Sequence, residues 1–415
     1  MALLSVVNIG ELVVVPRGPV PGRAMRNVPR IRDAALLIEN ERIAWFGPQA
    51  ACPSLLSNQT LDARGGCVLP GLIDCHTHTV FAGTRENEFV QRIEGKSYEQ
   101  IARDGGGIRL TVEAVRKASV EQLVDLALPR LGRMLENGVT TVEIKSGYGL
   151  SVEHELKILE AVRRLKGLQP IELVPTYLAA HTTPREFEGR PDAYLDTVLS
   201  DAVLTRIRDE KLAEFCDVFC DTTAFTVEQS RRVLTTAKRF GLSGKIHADQ
   251  LSQIGASKLA ATLGAVSADH LEKIDEAGIA ALKAGDCVPV LLPGCAFFLG
   301  VAHPPARKLI EADLPVTVAT DFNPGSSMIE SLPLVMSITC TQMRITPTEA
   351  ASAATANAAA ALNRQDRLGA IAVGMQADLV VLDVPTIDGW LYEPGRNCVR
   401  TILKQGRPVI GNVPM

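Results

Sequence analysis

Short apolar runs rich in β-branched residues recur along the middle of the chain, and segments with helical spacing of apolar residues fill most of the gaps between them. Each run ends in glycine, proline or a polar residue, which is typical of a buried strand. We predict eight such strands, at Val68–Cys75, Val139–Lys145, Glu172–Leu178, Val218–Asp221, Gly244–His247, Ala265–Asp269, Val288–Leu292 and Val316–Thr320.

Strands that alternate with helices over about 250 residues match the usual size of an α/β protein built as a (β/α)8 barrel. A doubly wound open sheet would show the same alternation, and strand counting does not separate the two folds. We favour the barrel because polar residues gather at one end of several strands. The helices carry ordinary start signals: Thr346-Pro347-Thr348-Glu349 combines an N-cap, a proline in the first turn and a glutamate three residues on, and opens an alanine-rich helix expected to end near Leu362.

Strand patterns also lie on both sides of the predicted barrel, at Leu12–Val15, Ala34–Ile38, Arg42–Phe46, Ala377–Leu382 and Val399–Leu403. Two ends of one chain that both form strands are expected to share a sheet. We therefore predict a TIM-like barrel over residues 67–370 and a small β-sandwich domain built from residues 1–66 and 371–415.

Composition places the chain among soluble globular proteins, with 46% hydrophobic and 22% charged residues among 415. The net charge is −4 and no basic block could hold a phosphate backbone, so nucleic acid is not an expected partner. The most apolar stretch, residues 287–305, is broken by prolines and glycines, and the N-terminus lacks the pattern of a signal peptide. We expect a cytoplasmic protein without a membrane span, whose nine cysteines are reduced thiols.

Histidines are concentrated at the ends of the predicted strands. Five of the seven, His76, His78, His181, His247 and His270, lie at or just beyond the C-terminal end of a strand. In a barrel that edge is the catalytic face, where residues distant in sequence meet in one pocket. His76 and His78 are two residues apart in an extended segment, so they point to the same side and can hold one ion.

A carboxylate, Asp321, follows the eighth predicted strand at the same edge. Neutral imidazoles with one carboxylate suit Zn2+, Fe2+ or a similar divalent cation and leave a position for water, so the pattern indicates a hydrolytic metal centre. The alternative is that these histidines are ordinary core residues. For His154, in the predicted helix after the second strand, we adopt that alternative, and His303, in a proline-rich loop, has no strong functional argument.

Several segments resemble the amidohydrolase superfamily. Pro70–His78 (PGLIDCHTH) is similar to the superfamily's first-strand signature, and Gly374–Val381 (GMQADLVV) is similar to its return to the small β domain. Within the superfamily, four further segments are similar to the hydrolases that open an imidazolone ring in histidine breakdown: Phe81–Arg85, Gly105–Ile108, Val142–Leu150 and Asp321–Gly325.

This resemblance implies one metal ion, Zn2+ or iron as Fe2+ or Fe3+, held by His76, His78, His247 and Asp321. It implies substrate contacts from Arg85, Tyr148, His181, Gln250, Asn323, Gly325 and Ser326. The implied reaction is hydrolysis of the ring amide C–N bond in a small substrate with a carboxylate tail, in a homodimer. His270 and Asp321 would polarise the carbonyl and transfer protons.

The sequence departs from parts of the superfamily pattern. Two-metal relatives use a carbamylated lysine at the end of strand four, where this chain has Cys220-Asp221-Thr222-Thr223. Lys145 instead ends strand two, and we expect it to be a cation that is either structural or placed behind the metal ligands. Gln250 stands where some relatives carry glutamate, and an amide cannot accept a proton at neutral pH. Gly105-Gly106-Gly107 lacks the residues of a phosphate loop and is expected to be a flexible loop near the site.

The carboxylate of the substrate is assigned to Arg85, whose planar guanidinium can hold it through two parallel hydrogen bonds. Tyr148 could add a hydroxyl, and Tyr98 is a weaker candidate for the same group. Two other functions stay open: a different hydrolase of the superfamily, such as a deaminase, and a binding relative that has lost its chemistry. The latter would be expected to lack metal ligands, and none is missing here.

Overall fold

The computed structural model describes residues 3–53, 59–96, 100–101 and 105–411, and two sheets organise this part of the chain. The strands before the barrel are β1 (Leu3–Val13), β2 (Arg30–Glu39), β3 (Arg42–Pro48), β4 (Gln59–Asp62) and β5 (Cys67–Pro70). The barrel strands are β6 (Leu72–Asp74), β7 (Val139–Lys145), β8 (Glu172–Ala180), β9 (Phe215–Cys220), β10 (Ser243–Ala248), β11 (Ser267–His270), β12 (Val288–Leu291) and β13 (Thr317–Val318). The strands after it are β14 (Leu379–Leu382), β15 (Val399–Lys404) and β16 (Arg407–Ile410).

Helices fill most of the connections between barrel strands and also follow β13. They are α1 (Glu86–Ile93), α2 (Ile108–Lys117), α3 (Val120–Glu136), α4 (Val152–Leu165), α5 (Pro191–Val198), α6 (Asp201–Asp209), α7 (Val227–Arg239), α8 (Ala256–Leu263), α9 (Glu276–Ala284), α10 (Pro293–Leu299), α11 (Ala306–Glu311), α12 (Leu332–Met343), α13 (Pro347–Ala353), α14 (Ala356–Ala360) and α15 (Ile387–Tyr392). Among the described residues, no helix is both long and apolar enough to cross a membrane.

Strands β6 to β13 pair in parallel in chain order and close into a barrel. Closure occurs beyond the last strand residues, where Thr77 and Phe322 form a parallel bridge. There the Asp321 N–H donates to the His76 carbonyl at 3.0 Å, and the His78 N–H donates to the Phe322 carbonyl at 2.9 Å. The segments that carry the predicted ligands are therefore joined directly by backbone hydrogen bonds.

The remaining strands form the small domain, in the order β16-β15-β14-β5-β1-β2-β3 with β4 also beside β1. Strands from both chain ends contribute to one apolar core, which includes Ile9, Leu36, Leu379 and Leu403. The predicted fold class, a TIM-like barrel with a small β domain from both ends of the chain, is confirmed.

One predicted strand, Val68–Cys75, is wrong as a single element, because the chain changes sheets at Gly71. Strand β5 pairs with β1 and β14 in the small domain, whereas β6 pairs with β7 in the barrel. A Cβ atom on Gly71 would lie 2.4 Å from Oγ1 of Thr140, so only glycine lets the backbone pass at this point. The proposed domain boundaries at 66/67 and 370/371 stay a prediction.

The alanine-rich helix after Thr346 is two helices, α13 and α14. The capping box is confirmed, because the Thr346 side chain accepts from the Glu349 N–H and the Glu349 side chain reaches back. The helix is interrupted at Thr355, which has φ −132° and ψ −90°. Beyond the break, the buried Asn357 amide donates to the carbonyls of Val20 and Val316 at 3.1 and 2.8 Å, which anchors α14 under the barrel.

Candidate metal centre

Four histidines from three barrel strands meet inside the C-terminal end of the barrel. The ring centroid of His76 lies 5.6 Å from that of His78, 4.6 Å from that of His247 and 5.6 Å from that of His270. All four side chains are buried. The prediction that strands far apart in sequence bring these rings to one place is confirmed.

The Asp321 carboxylate faces two of these rings. Its Oδ1 lies 3.6 Å from Nε2 of His76 and 3.7 Å from Nε2 of His78, which is too long for hydrogen bonds. Two ligand atoms bound tetrahedrally to one ion at about 2.1 Å would be about 3.4 Å apart. Nε2 of His76 is buried and has no hydrogen-bond partner among the described residues. The spacing and the unpaired nitrogen both fit a shared cation.

Two overlapping groups of residues could hold a metal ion at this point, and within each group the ligand atoms lie within 4.8 Å of one another. One group comprises His76, His78 and His247, and the other comprises His76, His270 and Asp321. The groups share His76, which places it at the centre of the site. The donor chemistry, imidazole nitrogen with one carboxylate oxygen, is that of Zn2+ and iron sites.

Carboxylates behind the rings fix the orientation of two histidines. Nδ1 of His76 is 2.6 Å from Oδ2 of Asp269, and Nδ1 of His247 is 3.0 Å from Oδ2 of Asp217. Such partners fix the tautomer and leave the opposite ring nitrogen available to a metal. Neither aspartate is among the site residues predicted from the sequence. For Asp217 the signal was a carboxylate within an otherwise apolar strand, a position that is rarely charged without a partner.

Three of the histidines, His76, His78 and His181, are held neutral. Burial lowers the pKa of His76 and His78 well below the usual value, and nearby cationic groups act in the same direction. Burial also lowers the pKa of His181 to about 3. A metal ligand must be unprotonated, so this environment favours coordination.

His270 and Asp321 have left-handed backbones, with φ of +82° and +52°. This conformation is unfavourable for residues other than glycine and costs about 1–3 kcal/mol each, a strain that concentrates at functional sites. Burial alone would lower the pKa of His270, but the Glu272 carboxylate, 3.5 Å from Nδ1, raises it above the usual value. Burial raises the pKa of Asp321.

Two of the predicted substrate residues line the same space. The His181 ring stacks on the His78 ring with centroids 5.3 Å apart, and the Tyr148 ring is 5.5 Å from His78 and 5.6 Å from His181. Nδ1 of His181 is 3.0 Å from the Gly147 carbonyl oxygen, which orients the ring.

Arg85 lies against the loop that follows β13. A Cβ atom on Gly325 would be 2.1 Å from Nη1 of Arg85, so two predicted substrate residues are in contact. Nε and Nη2 of Arg85 donate to the same oxygen of Glu88 at 2.9 and 2.7 Å, and the other Glu88 oxygen accepts from the Gly107 N–H at 2.7 Å. Glu88 therefore links Arg85 to the glycine-rich loop, a role the sequence analysis missed.

Asn323 and Ser326 build the turn that carries Asp321. Oδ1 of Asn323 accepts from the N–H groups of Gly325 and Ser326, both at 2.8 Å, and Nδ2 donates to the Asp321 carbonyl at 2.6 Å. These bonds use most of the hydrogen-bonding capacity of the Asn323 side-chain amide within the turn. Direct substrate contact by this turn stays a prediction.

Gln250 is half-buried and lies two residues beyond β10. Its loop is held by Asp221, whose Oδ2 accepts from the N–H groups of Leu251 and Ser252 at 3.2 and 3.0 Å. The end of β9, where two-metal relatives carry a lysine, thus supports the loop of Gln250.

Two other residues considered from the sequence lie elsewhere. Tyr98 lies outside the described residues, and His154 in α4 has Nδ1 2.8 Å from Oγ of Ser151.

Comparison with known proteins identifies relatives along nearly the whole chain. The model of the amidohydrolase family matches residues 67–409. Imidazolonepropionase of Caldanaerobacter subterraneus subsp. tengcongensis is 43% identical over 98% of both chains. The imidazolonepropionase of Geobacillus kaustophilus is 44% identical over 95% of this chain and 94% of its own, and that of Shewanella loihica is 45% identical over 91% and 93%.

Solved structures share the fold at low sequence identity. A zinc-bound adenosine deaminase from Xanthomonas campestris superposes with a TM-score of 0.71 at 18% identity, over 99% of this chain and 93% of its own. A 5-methylcytosine deaminase from Klebsiella pneumoniae liganded with 5-fluorocytosine gives a TM-score of 0.72 at 17% identity, over 99% and 98%. At this identity the likeness supports the barrel with its appended domain and nothing narrower.

Proposed function

The chain belongs to the amidohydrolase family and, within it, to the imidazolonepropionases, and from this premise we propose how its residues hydrolyse the substrate. The enzyme is a hydrolase of C–N bonds in histidine degradation, and it converts 4-imidazolone-5-propanoate to N-formimidoyl-L-glutamate. The observation that carries the proposal is the convergence of His76, His78, His247 and Asp321 in a chain that matches imidazolonepropionases over nearly its whole length.

We assign one ion, Zn2+ or iron, to His76, His78, His247 and Asp321. When bound, such an ion lowers the pKa of water from about 15.7 towards about 7 and supplies a nucleophile at neutral pH. The support for a single ion is the position of Lys145. A further group that could hold a cation comprises His76, Glu143 and Asp269, and the ammonium of Lys145 lies 3.0 and 3.4 Å from its two carboxylates.

Asp321 and His270 are assigned the proton transfers and the polarisation of the carbonyl. Oδ2 of Asp321, which also accepts from Oγ of Ser326 at 3.5 Å, accepts a proton from the attacking water, while His270 donates a hydrogen bond to the carbonyl oxygen as it becomes negative. The C–N bond then breaks when the departing ring nitrogen receives a proton from Asp321 or His270. The electron pair of that bond stays on nitrogen, and the carbonyl carbon becomes the carboxylate of the product.

Arg85 is assigned the propionate of the substrate. Its Nε and Nη2 are oriented by Glu88, and Nη1 faces the backbone of Gly325 near the metal ligands. A guanidinium in this position can pair with a carboxylate while the ring reaches the metal centre. The proposed remaining contacts come from Tyr148, His181, Gln250, Asn323, Gly325 and Ser326.

An assay with purified, metal-loaded protein tests this function. Ring opening by water removes the imidazolone absorbance and yields a product that keeps both ring nitrogens, so no ammonia is released. A deaminase would release one ammonia per turnover from its own substrate. Loss of absorbance without ammonia supports the proposal, and an inert imidazolone substrate contradicts it.

The oligomeric state and the location are proposals supported by the family resemblance. We propose a cytoplasmic homodimer. Light scattering coupled to size exclusion tests the dimer, because it distinguishes the mass of two chains from that of one. Cell fractionation tests the location.

A further inference from the structure

Lys145, the last residue of β7, projects into the barrel interior below the histidines and is fully buried. Its Nζ lies 2.7 Å from Oδ2 of Asp217, 3.0 Å from Oε1 of Glu143 and 3.4 Å from Oδ2 of Asp269. Burial alone would lower its pKa, but these carboxylates raise it above the usual value of lysine, so the side chain stays charged. An ammonium is buried this deeply only when anions surround it.

Two of these carboxylates also contact histidines on their other side. Asp217 reaches Nδ1 of His247 at 3.0 Å, and Asp269 reaches Nδ1 of His76 at 2.6 Å. In each aspartate the same oxygen, Oδ2, faces both the lysine and the ring. A single ammonium therefore bridges two aspartate–histidine pairs that come from strands β9, β10 and β11 and from the end of β6.

We infer that Lys145 is a positioning residue for the metal centre, which holds Asp217 and Asp269 where they orient His247 and His76. This inference rests on the proposed function, because it takes the two histidines to be metal ligands. Without the ammonium, two buried carboxylates lose a shared counter-charge and turn towards other donors. This movement releases the Nδ1 contact that orients each ring for coordination.

Lys245 provides a matched control inside the same cluster. It is also fully buried, and its Nζ lies 2.7 Å from Oε2 of Glu143 and 3.0 Å from the Cys75 carbonyl oxygen. In the described part of the chain, its hydrogen bonds and ion pairs reach neither Asp217 nor Asp269. Removing Lys245 thus deletes one buried positive charge of the cluster and spares the two aspartate–histidine pairs.

The test compares the full-length K145M and K245M variants with the parent. Each protein is stripped of metal, its folding is checked by circular dichroism, and its Zn2+ affinity is measured by competition with a chromogenic chelator. We expect K145M to weaken Zn2+ binding by about 10- to 100-fold, the range seen when partners of metal ligands are removed. K245M should retain an affinity within about 3-fold of the parent.

The inference is overturned if K145M binds Zn2+ as tightly as the parent, or if both lysine variants lose affinity equally, which would indicate a general loss of buried charge. A parent protein that binds no Zn2+ or iron would instead contradict the proposed function. If K145M does not fold, the comparison moves to E143Q/K145M and E143Q/K245M, with E143Q as reference. In each double variant one anion is removed together with one cation, and we expect the same difference in Zn2+ affinity between the two double variants as between K145M and K245M.

Discussion

Nδ1 of His76 lies 2.6 Å from Oδ2 of Asp269, and both side chains are fully buried. The contact crosses the barrel from the end of β6 to β11, and Ser267 donates to the other oxygen of Asp269 at 2.6 Å. Because Nδ1 is engaged, Nε2 is the nitrogen that faces Asp321. Metal affinity should therefore depend on a carboxylate that does not touch the ion.

Asp269→Asn is expected to lower Zn2+ affinity by about 10- to 100-fold, because an amide is a weaker partner for the imidazole N–H than a carboxylate. Chelator competition measures the change. Asp209→Asn, at the exposed end of α6, is the control and should leave the affinity as it is. Equal affinities in all three proteins would show that Asp269 does not support the centre.

Arg85→Met is expected to raise KM by about 10- to 100-fold, since hydrogen bonds to charged groups contribute about 1.5–3 kcal/mol and 1.4 kcal/mol corresponds to a factor of ten. Metal content should stay at the parental value, because Arg85 is not a proposed ligand. Steady-state kinetics and metal analysis check both statements. An unchanged KM would remove Arg85 from the substrate site.

Gly325→Ala is expected to displace Arg85, because the new Cβ would lie 2.1 Å from Nη1. A shift of about 1 Å in a binding group can cost about 100-fold, so we expect kcat/KM to fall by about 10- to 100-fold. Gly132→Ala is the matched control: it lies in α3, and a Cβ there meets no atom within 4 Å. If both variants keep parental kinetics, the packing of Arg85 on this loop is irrelevant to binding.

His270→Ala is expected to lower kcat by about 100- to 10,000-fold, the usual contribution of a general acid or base. Metal content should be retained, because His270 is not one of the four assigned ligands. His154→Ala is the control and should keep full activity, because His154 lies in α4 and its ring contacts Ser151, the residue before that helix. Loss of the metal in the His270 variant would instead place this residue in the coordination sphere.

The histidines at the strand ends were predictable because two simple regularities combine. Parallel barrel strands end at one face, and His76 and His78 are spaced to point to one side of an extended segment. Neither statement requires knowledge of which side chains touch. The convergence of His247, His270 and Asp321 on the same point follows from the barrel alone.

The supporting residues were not predictable in the same way. Whether Asp217 meets His247, and whether Lys145 reaches both Asp217 and Asp269, depends on strand register and on side-chain direction across the barrel. The residues next to each position determine neither the strand register nor the direction of these side chains. The change of sheets at Gly71 was missed for a similar reason, because the close approach of Thr140 comes from a distant segment. The local signal was the Pro70-Gly71 pair, which interrupts an otherwise apolar run from Val68 to Ile73.

Anomalous diffraction at the absorption edge of the bound metal, recorded from crystals of metal-replete protein, tests the central claim most directly. We predict one peak per chain, at about 2.0–2.2 Å from Nε2 of His76 and from ligand atoms of His78, His247 and Asp321. A map with no peak among these four side chains, or with the peak bound by other residues, would contradict the account.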